Sequence, residues 1–192
     1  MLPVYRGQLQ CRGLGMPVGF WNDSDGRRYR AAYFERFPGV WTHGDWTRLT
    51  GQGGLIIEGR SDTVLNPGGV RIGIAEIYRQ VERLPQVKEC VCVGQQWDDD
   101  IRVVLFVVLH KELLLNDALR QQIKDTLRIN ASPRHVPSKV IQVNDIPRTR
   151  NGKISEIAVR DTIEGRAVAN TESLIDPDVL LEYRNLPELA VS

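Results

Sequence analysis

The stretch IAEIYRQVERLPQVKECVCVGQQWDDDIRVVLFVVL, residues 74–109, decides the fold of most of this chain. Its first part places Ile74, Ile77, Val81 and Leu84 on one face at helical spacing. Pro85 stops that helix, because proline lacks the N–H and its ring crowds the preceding turn. The period then changes. KECVCVG and IRVVLFVVL are β-prone runs, and the acidic WDDD between them marks a turn. The second run is apolar throughout, which predicts a central, covered strand.

Working outward, residues 115–130 place Leu115, Leu119, Ile123 and Leu127 at i, i+4 spacing, with Asn116 or Asp117 as the cap. SPRHVP breaks this helix. SKVIQV predicts a strand, IPRTRNG a loop, and ISEIAVRDTIEG a last helix ending near Gly165. Upstream, GGLIIEG is a short strand, and SDTVLNPGGVRI is a loop built on NPGG with a short strand at its end. From about residue 60 the order is β, α, β, β, α, β, α. That is an α+β fold, a small domain over 62–165 with two or three helices on one face of a small sheet. Residues 1–61 are rich in Gly, Pro and aromatics, with turns at NDSDG and FPG. They predict short strands and loops, the β-rich edge of something larger rather than a complete core. The polar GRSD at 59–62 suits a joint between two bodies. The tail, 166–192, is polar with scattered apolar residues and is expected to pack on the surface.

Composition narrows the function. Twenty-five basic residues face 24 acidic ones, a net charge of +1, which argues against a dedicated nucleic-acid binder. Arg148, Arg150 and Lys153 have no aromatic residue interleaved, so no single-strand stacking platform is suggested either. Three cysteines (Cys11, Cys90, Cys92) give no disulfide framework, and none neighbours a histidine in a zinc-ligand pattern. Cys90 and Cys92 are expected to be buried, reduced thiols on one side of a strand. There is no apolar run long enough for a membrane span and no signal-peptide pattern at the start, so a cytoplasmic protein is expected.

Three stretches carry residues suited to chemistry. In WTHGDW, 41–46, Asp45 follows a glycine at an expected strand end. Its carboxylate suits either an Asx turn or two hydrogen bonds from a vicinal diol. In GRSDTVLNPGGVRIGIAEIYR, 59–79, Arg60, Arg71 and the Gly68–Gly69 pair form either a generic turn or a phosphate-holding loop, with Glu76 in the following helix. In IPRTRNGKIS, 146–155, Arg148 and Arg150 lead into an Asn-Gly pair and Lys153 follows it at once. It is either a solvated basic loop or a lysine delivered to an anion by a mobile loop. Coulomb attraction to an anion at close range is about 1 kcal/mol in water and about 4 at an effective dielectric near 20, so the second role needs a closing cleft.

The order and spacing of these stretches resemble the C-terminal end of the adenylate-forming enzymes, the acyl-CoA synthetases with their luciferase and peptide-synthetase relatives. T-H-G-D (42–45), G-R-S-D (59–62), G-G-V-R-I-G-I-A-E-I (68–77) and P-R-T-R-N-G-K (147–153) stand where that family has its late motifs. The stretches MPVGFWND and YRAAYFERFPGVWTHGDW, together with the tail RAVANTESLIDPDVLLEYRNLPEL, are most similar to the subgroup that activates acetoacetate. The resemblance implies ATP with Mg2+, an acid and CoA as reactants, with Mg2+ held mainly by a large domain. It implies Asp45 on the ribose hydroxyls of ATP, with Arg60 assisting. It also implies Arg71 near a phosphate, Asp62 as a hinge, and Gly68 and Gly69 beside the pantetheine arm of CoA. Lys153 would lie between the acid carboxylate and the α-phosphate.

The family's Ser/Thr/Gly-rich phosphate loop and most of its acyl pocket have no counterpart here. Residues 1–61 are therefore expected to be the end of a large adenylation domain, and the chain alone is expected not to turn over. RGLG runs directly into MPVGFWND, where further strand-forming residues are expected, so an internal deletion is considered there. The alternatives are a synthetase for acetate or propionate, or a non-catalytic module docking on a separately encoded large domain.

Overall fold

The computed structural model describes residues 5–11, 16–61, 65–70 and 72–191. The chain divides into two units, residues 1–62 and 63–192.

The first unit carries β1 (Tyr5–Cys11), α1 (Arg27–Tyr33), β2 (Trp41–Leu49) and β3 (Leu55–Arg60), with the strands antiparallel in the order β1-β2-β3. Helix α1 lies where the sequence predicts only strands and loops. It is too short to show a period, and side chains outside it hold it. The Asp23 carboxylate accepts from the N–H groups of Arg28 at 3.1 Å and Tyr29 at 2.8 Å. Edge-to-face contacts join Phe20, Tyr29 and Tyr33 at centroid separations of 5.5–5.6 Å. Among the described residues of this unit, no hydrophobic side chain is buried. On β3, Leu55, Ile56 and Ile57 are 52%, 37% and 58% exposed, so this sheet has no core of its own.

The second unit holds α2 (Ile74–Val81), β4 (Val87–Trp97), β5 (Asp100–Leu109), α3 (Asp117–Asn130), β6 (Lys139–Gln142) and α4 (Glu156–Ile163). β4 and β5 form an antiparallel hairpin, and β6 runs parallel to β5, which puts β5 at the centre as predicted. The hairpin turns at Asp98 and Asp99, both at positive φ, the condition for a two-residue turn that follows the strand twist. Of the two caps considered for α3, the Asn116 side chain is the one used, accepting from the Leu119 N–H at 2.9 Å.

Two expectations are corrected. Both faces of the sheet are covered, not one. Helices α2 and α3 pack on Cys90, Cys92, Val103, Leu105 and Val107. Val159 of α4 and residues of the tail pack on Val91, Val104, Phe106 and Ile141. The tail is also not a surface layer, since Leu174, Leu180, Tyr183 and Leu189 are buried. Tyr183 stands edge-on to Phe106 at 4.8 Å, and its hydroxyl donates to the Asp145 carbonyl at 2.8 Å. Arg102 of β5 stacks on Trp97 at 3.6 Å and donates to the carbonyls of Leu189 at 2.5 Å and Val191 at 2.8 Å. The tail turns through short 3-10 segments, so its inward residues follow no helix or strand period. The strand expected near residue 72 is a single bridge, Leu65 to Ile72, on either side of the Pro67–Gly69 turn.

Candidate active site

Lys153 sits on a short hairpin, where the sequence pattern gives only a loop. Arg148 bridges to Ile154. The Thr149 N–H donates to the Lys153 carbonyl at 2.8 Å, and the Gly152 N–H donates to the Thr149 carbonyl at 2.7 Å. Gly152 makes the turn at φ +77°, where an L side chain is strained. The tail pairs with the opposite side. Thr149 bridges to Leu174, Ile175 N–H donates to the Arg148 carbonyl, and Arg150 N–H donates to the Ser173 carbonyl, both bonds at 2.9 Å. The Asn-Gly pair marks the tip of this paired element.

Both neighbouring arginines are engaged. Arg150 Nε donates to the Glu172 carbonyl at 3.2 Å. Arg148 forks between the Glu89 carboxylate at 2.8 Å and the Gly152 carbonyl at 2.9 Å. Lys153 is exposed, and among the described residues its ammonium has no ion-pair partner. Glu89 on β4 is a residue that sequence reading missed, because 59 residues separate it from Arg148.

In the first unit Asp45 lies within β2, not at a strand end, and pairs across the sheet with Arg60. Its side chain is only 11% exposed. His43 Nδ1 lies 2.5 Å from Asp45 Oδ2, off the axis of a hydrogen bond, and the Arg60 guanidinium reaches within 4.0 Å of Oδ1. Arg60 also donates to the His43 carbonyl at 3.2 Å. Its guanidinium lies over Gly44, where an added Cβ would meet it at 3.1–3.2 Å, so glycine is what lets Arg60 cross the strand. The structure thus brings Asp45 and Arg60 together, and adds His43, whose only signal in the sequence was its place in T-H-G-D.

Gly68 and Gly69 lie in the turn after Asn66, at φ +56° and +74°. The Gly68 N–H donates to the Asp100 carboxylate at 2.9–3.0 Å. A shallow groove of ≈ 460 Å³ runs past Gly68, lined by Trp97, Asp100, Arg102 and Arg134. Glu76 is held on its own helix, by Arg79 and Gln80 at 2.7 Å each. Asp62 and Arg71 lie outside the described residues.

Burial shifts several other titratable groups. Burial pushes the thiols of Cys90 and Cys92 well up, so they stay protonated and are poor nucleophiles. Burial also raises Tyr78, whose hydroxyl donates to Glu156 and accepts from the Cys92 N–H, both at 3.2 Å. Desolvation lowers His135. Among the described residues no three His, Cys, Asp or Glu side chains gather to hold a metal ion. No helix of the described residues is long and apolar enough to cross a membrane.

Residues 76–153 match the AMP-binding enzyme C-terminal domain family, and the match ends on Lys153. The chain is 51% identical to an acetoacetyl-coenzyme A synthetase of Rhizobium meliloti (strain 1021), over 97% of this chain and 33% of that protein. It is 40% identical to the acetoacetyl-CoA synthetase of Mus musculus, over 98% of this chain and 32% of that one. Among solved structures, acetoacetyl-CoA synthetase from Streptomyces lividans superposes with a TM-score of 0.85 at 43% identity, over 93% of this chain and 28% of that one. The chain therefore spans about a third of the length of the curated relatives it matches, and corresponds to their C-terminal part. The two alignments run over 215 and 218 positions, more than the 192 residues present, so they contain positions that this chain lacks.

Proposed function

We propose that this chain, which belongs to the AMP-binding acyl-CoA synthetases and carries their C-terminal domain, is the lysine-bearing part of an acetoacetate–CoA ligase. The observation that carries the reading is Lys153. Its neighbours are tied by hydrogen bonds on both sides of the hairpin, while its own ammonium is exposed at the last residue of the matched domain. A fixed backbone with an uncommitted charge is what electrostatic catalysis uses.

In the first half-reaction the acetoacetate carboxylate attacks the α-phosphorus of ATP, and pyrophosphate leaves. Lys153 lies between carboxylate and α-phosphate, offsetting their repulsion and the charge that builds on the phosphoryl oxygens. Asp45 accepts the ribose hydroxyls, with Arg60 fixing its position. The second unit then turns about Asp62, and CoA passes Gly68 and Gly69. Its thiolate attacks the acyl carbon and AMP leaves. Mg2+ bound with ATP would neutralise its phosphates, held mainly by the large domain. The high identity to acetoacetyl-CoA synthetases favours acetoacetate over acetate or propionate as the acid. The absence of a hydrophobic core among the described residues of the first unit favours a large domain seated on that sheet, whether fused or separately encoded.

The test joins the whole chain to the N-terminal two-thirds of the Rhizobium meliloti relative and measures the half-reactions separately. Lys153→Ala is expected to slow acetoacetate-dependent adenylation by about 100-fold or more. Thioester formation from supplied acetoacetyl-adenylate and CoA is expected to be spared. Equal losses in both half-reactions would overturn the assignment.

A further inference from the structure

We propose that Arg148 is a positioning residue for Lys153, working through Glu89. This inference rests on Lys153 being the adenylation lysine. Arg148 is the point where three parts of the second unit meet. Nη2 donates to Glu89 Oε2 on β4 at 2.8 Å, and Nη1 donates to the Gly152 carbonyl at 2.9 Å. Its own carbonyl accepts from Ile175 N–H at 2.9 Å. The Gly152 carbonyl belongs to the peptide unit whose nitrogen is that of Lys153. One planar guanidinium thus sets the orientation of the last peptide before the lysine and refers it to the central sheet.

The geometry needs an arginine. A planar fork can hold a carboxylate and a carbonyl at once with fixed angles, whereas a lysine ammonium is a point donor on a flexible stem. Both side chains of the pair are about one-third exposed, at 32% and 31%, so as a surface ion pair it adds little to stability. Its placement against the Gly152 carbonyl gives it a different use. At Gly152, φ +77°, an added Cβ would meet nothing within 4 Å, so no side chain packs against that face of the tip. Arg148 adds a side-chain hold on the Gly152 carbonyl to the backbone bonds of the hairpin.

The experiment has two readouts on Arg148→Ala, Arg148→Lys and Glu89→Gln. The first is amide hydrogen exchange in the full 192-residue chain. Exchange at Gly152 and Lys153 is expected to rise by about tenfold or more in Arg148→Ala, and less in the other two, with the β5 amides Val104–Val107 unchanged. The second is adenylation in the joined enzyme described above. Arg148→Ala is expected to lower kcat by about 10- to 100-fold, with KM for ATP nearly unchanged, since misplacement of about 1 Å can cost that much. Arg148→Lys is expected to recover only part of the loss. Unchanged exchange in Arg148→Ala, or increased exchange with full kcat, would overturn the proposal. Full adenylation by Lys153→Ala would instead overturn the reading of Lys153, and is a separate result from either.

Discussion

Gly152 separates two costs that are usually mixed. Its φ of +77° disfavours any L side chain, yet an added Cβ would meet nothing within 4 Å. Gly152→Ala should therefore show the backbone cost alone, a loss of about 1–2 kcal/mol in urea unfolding with an unchanged m-value. A larger loss would mean that the turn does more than set a dihedral angle. The cysteines give a second check at this scale. Cys90 and Cys92 are buried between the sheet and its helices, whereas Cys11 is partly exposed. A thiol reagent should modify one cysteine quickly in the native chain and the other two only after denaturant. Rapid modification of all three would contradict that packing. Both expectations were partly legible in the sequence. Alternation on a strand put Cys90 and Cys92 on one side, and Asn-Gly marked the turn. What no local pattern could show was that the same turn is held from two sides.

At the scale of elements, the legible parts are those with a strong period. Helix α2 shows its apolar face at i, i+3 and i+7, and β5 is buried along Arg102–Leu109, so both were found from pattern alone. The missed parts have no period to show. Helix α1 buries no residue and stands on Asp23 and a cluster of rings. The tail delivers single residues inward from short turns, Tyr183 above all. Its contribution is testable. Tyr183→Ala should destabilise the second unit by about 3–5 kcal/mol, the range for removing a buried aromatic ring. Tyr183→Phe keeps the ring on Phe106 and loses the bond to the Asp145 carbonyl, so it should cost only about 1 kcal/mol. Urea midpoints distinguish the two, and a small loss for Tyr183→Ala would return the tail to the surface.

At the scale of the molecule, the two units differ in kind. The second has a sheet packed on both faces. The first has a three-stranded sheet whose described hydrophobic residues are all at least partly exposed. That contrast was visible in the sequence as a shift from loop-rich to periodic composition near residue 60. The site was legible to a similar degree. Motif order singled out Lys153, Asp45 and Arg60 as candidates, whereas the contacts of His43 with Asp45 and of Glu89 with Arg148 emerge only from the folded chain. We propose that this chain supplies Lys153 to a reaction most of whose other contacts lie on a large domain. The most direct measurement is acetoacetate-dependent pyrophosphate release by the purified chain, alone and mixed with the N-terminal two-thirds of the Rhizobium meliloti synthetase. No release is expected from either piece alone, release is expected from the mixture, and its loss is expected with Lys153→Ala. Release from the chain alone, or a mixture indifferent to Lys153→Ala, would contradict it.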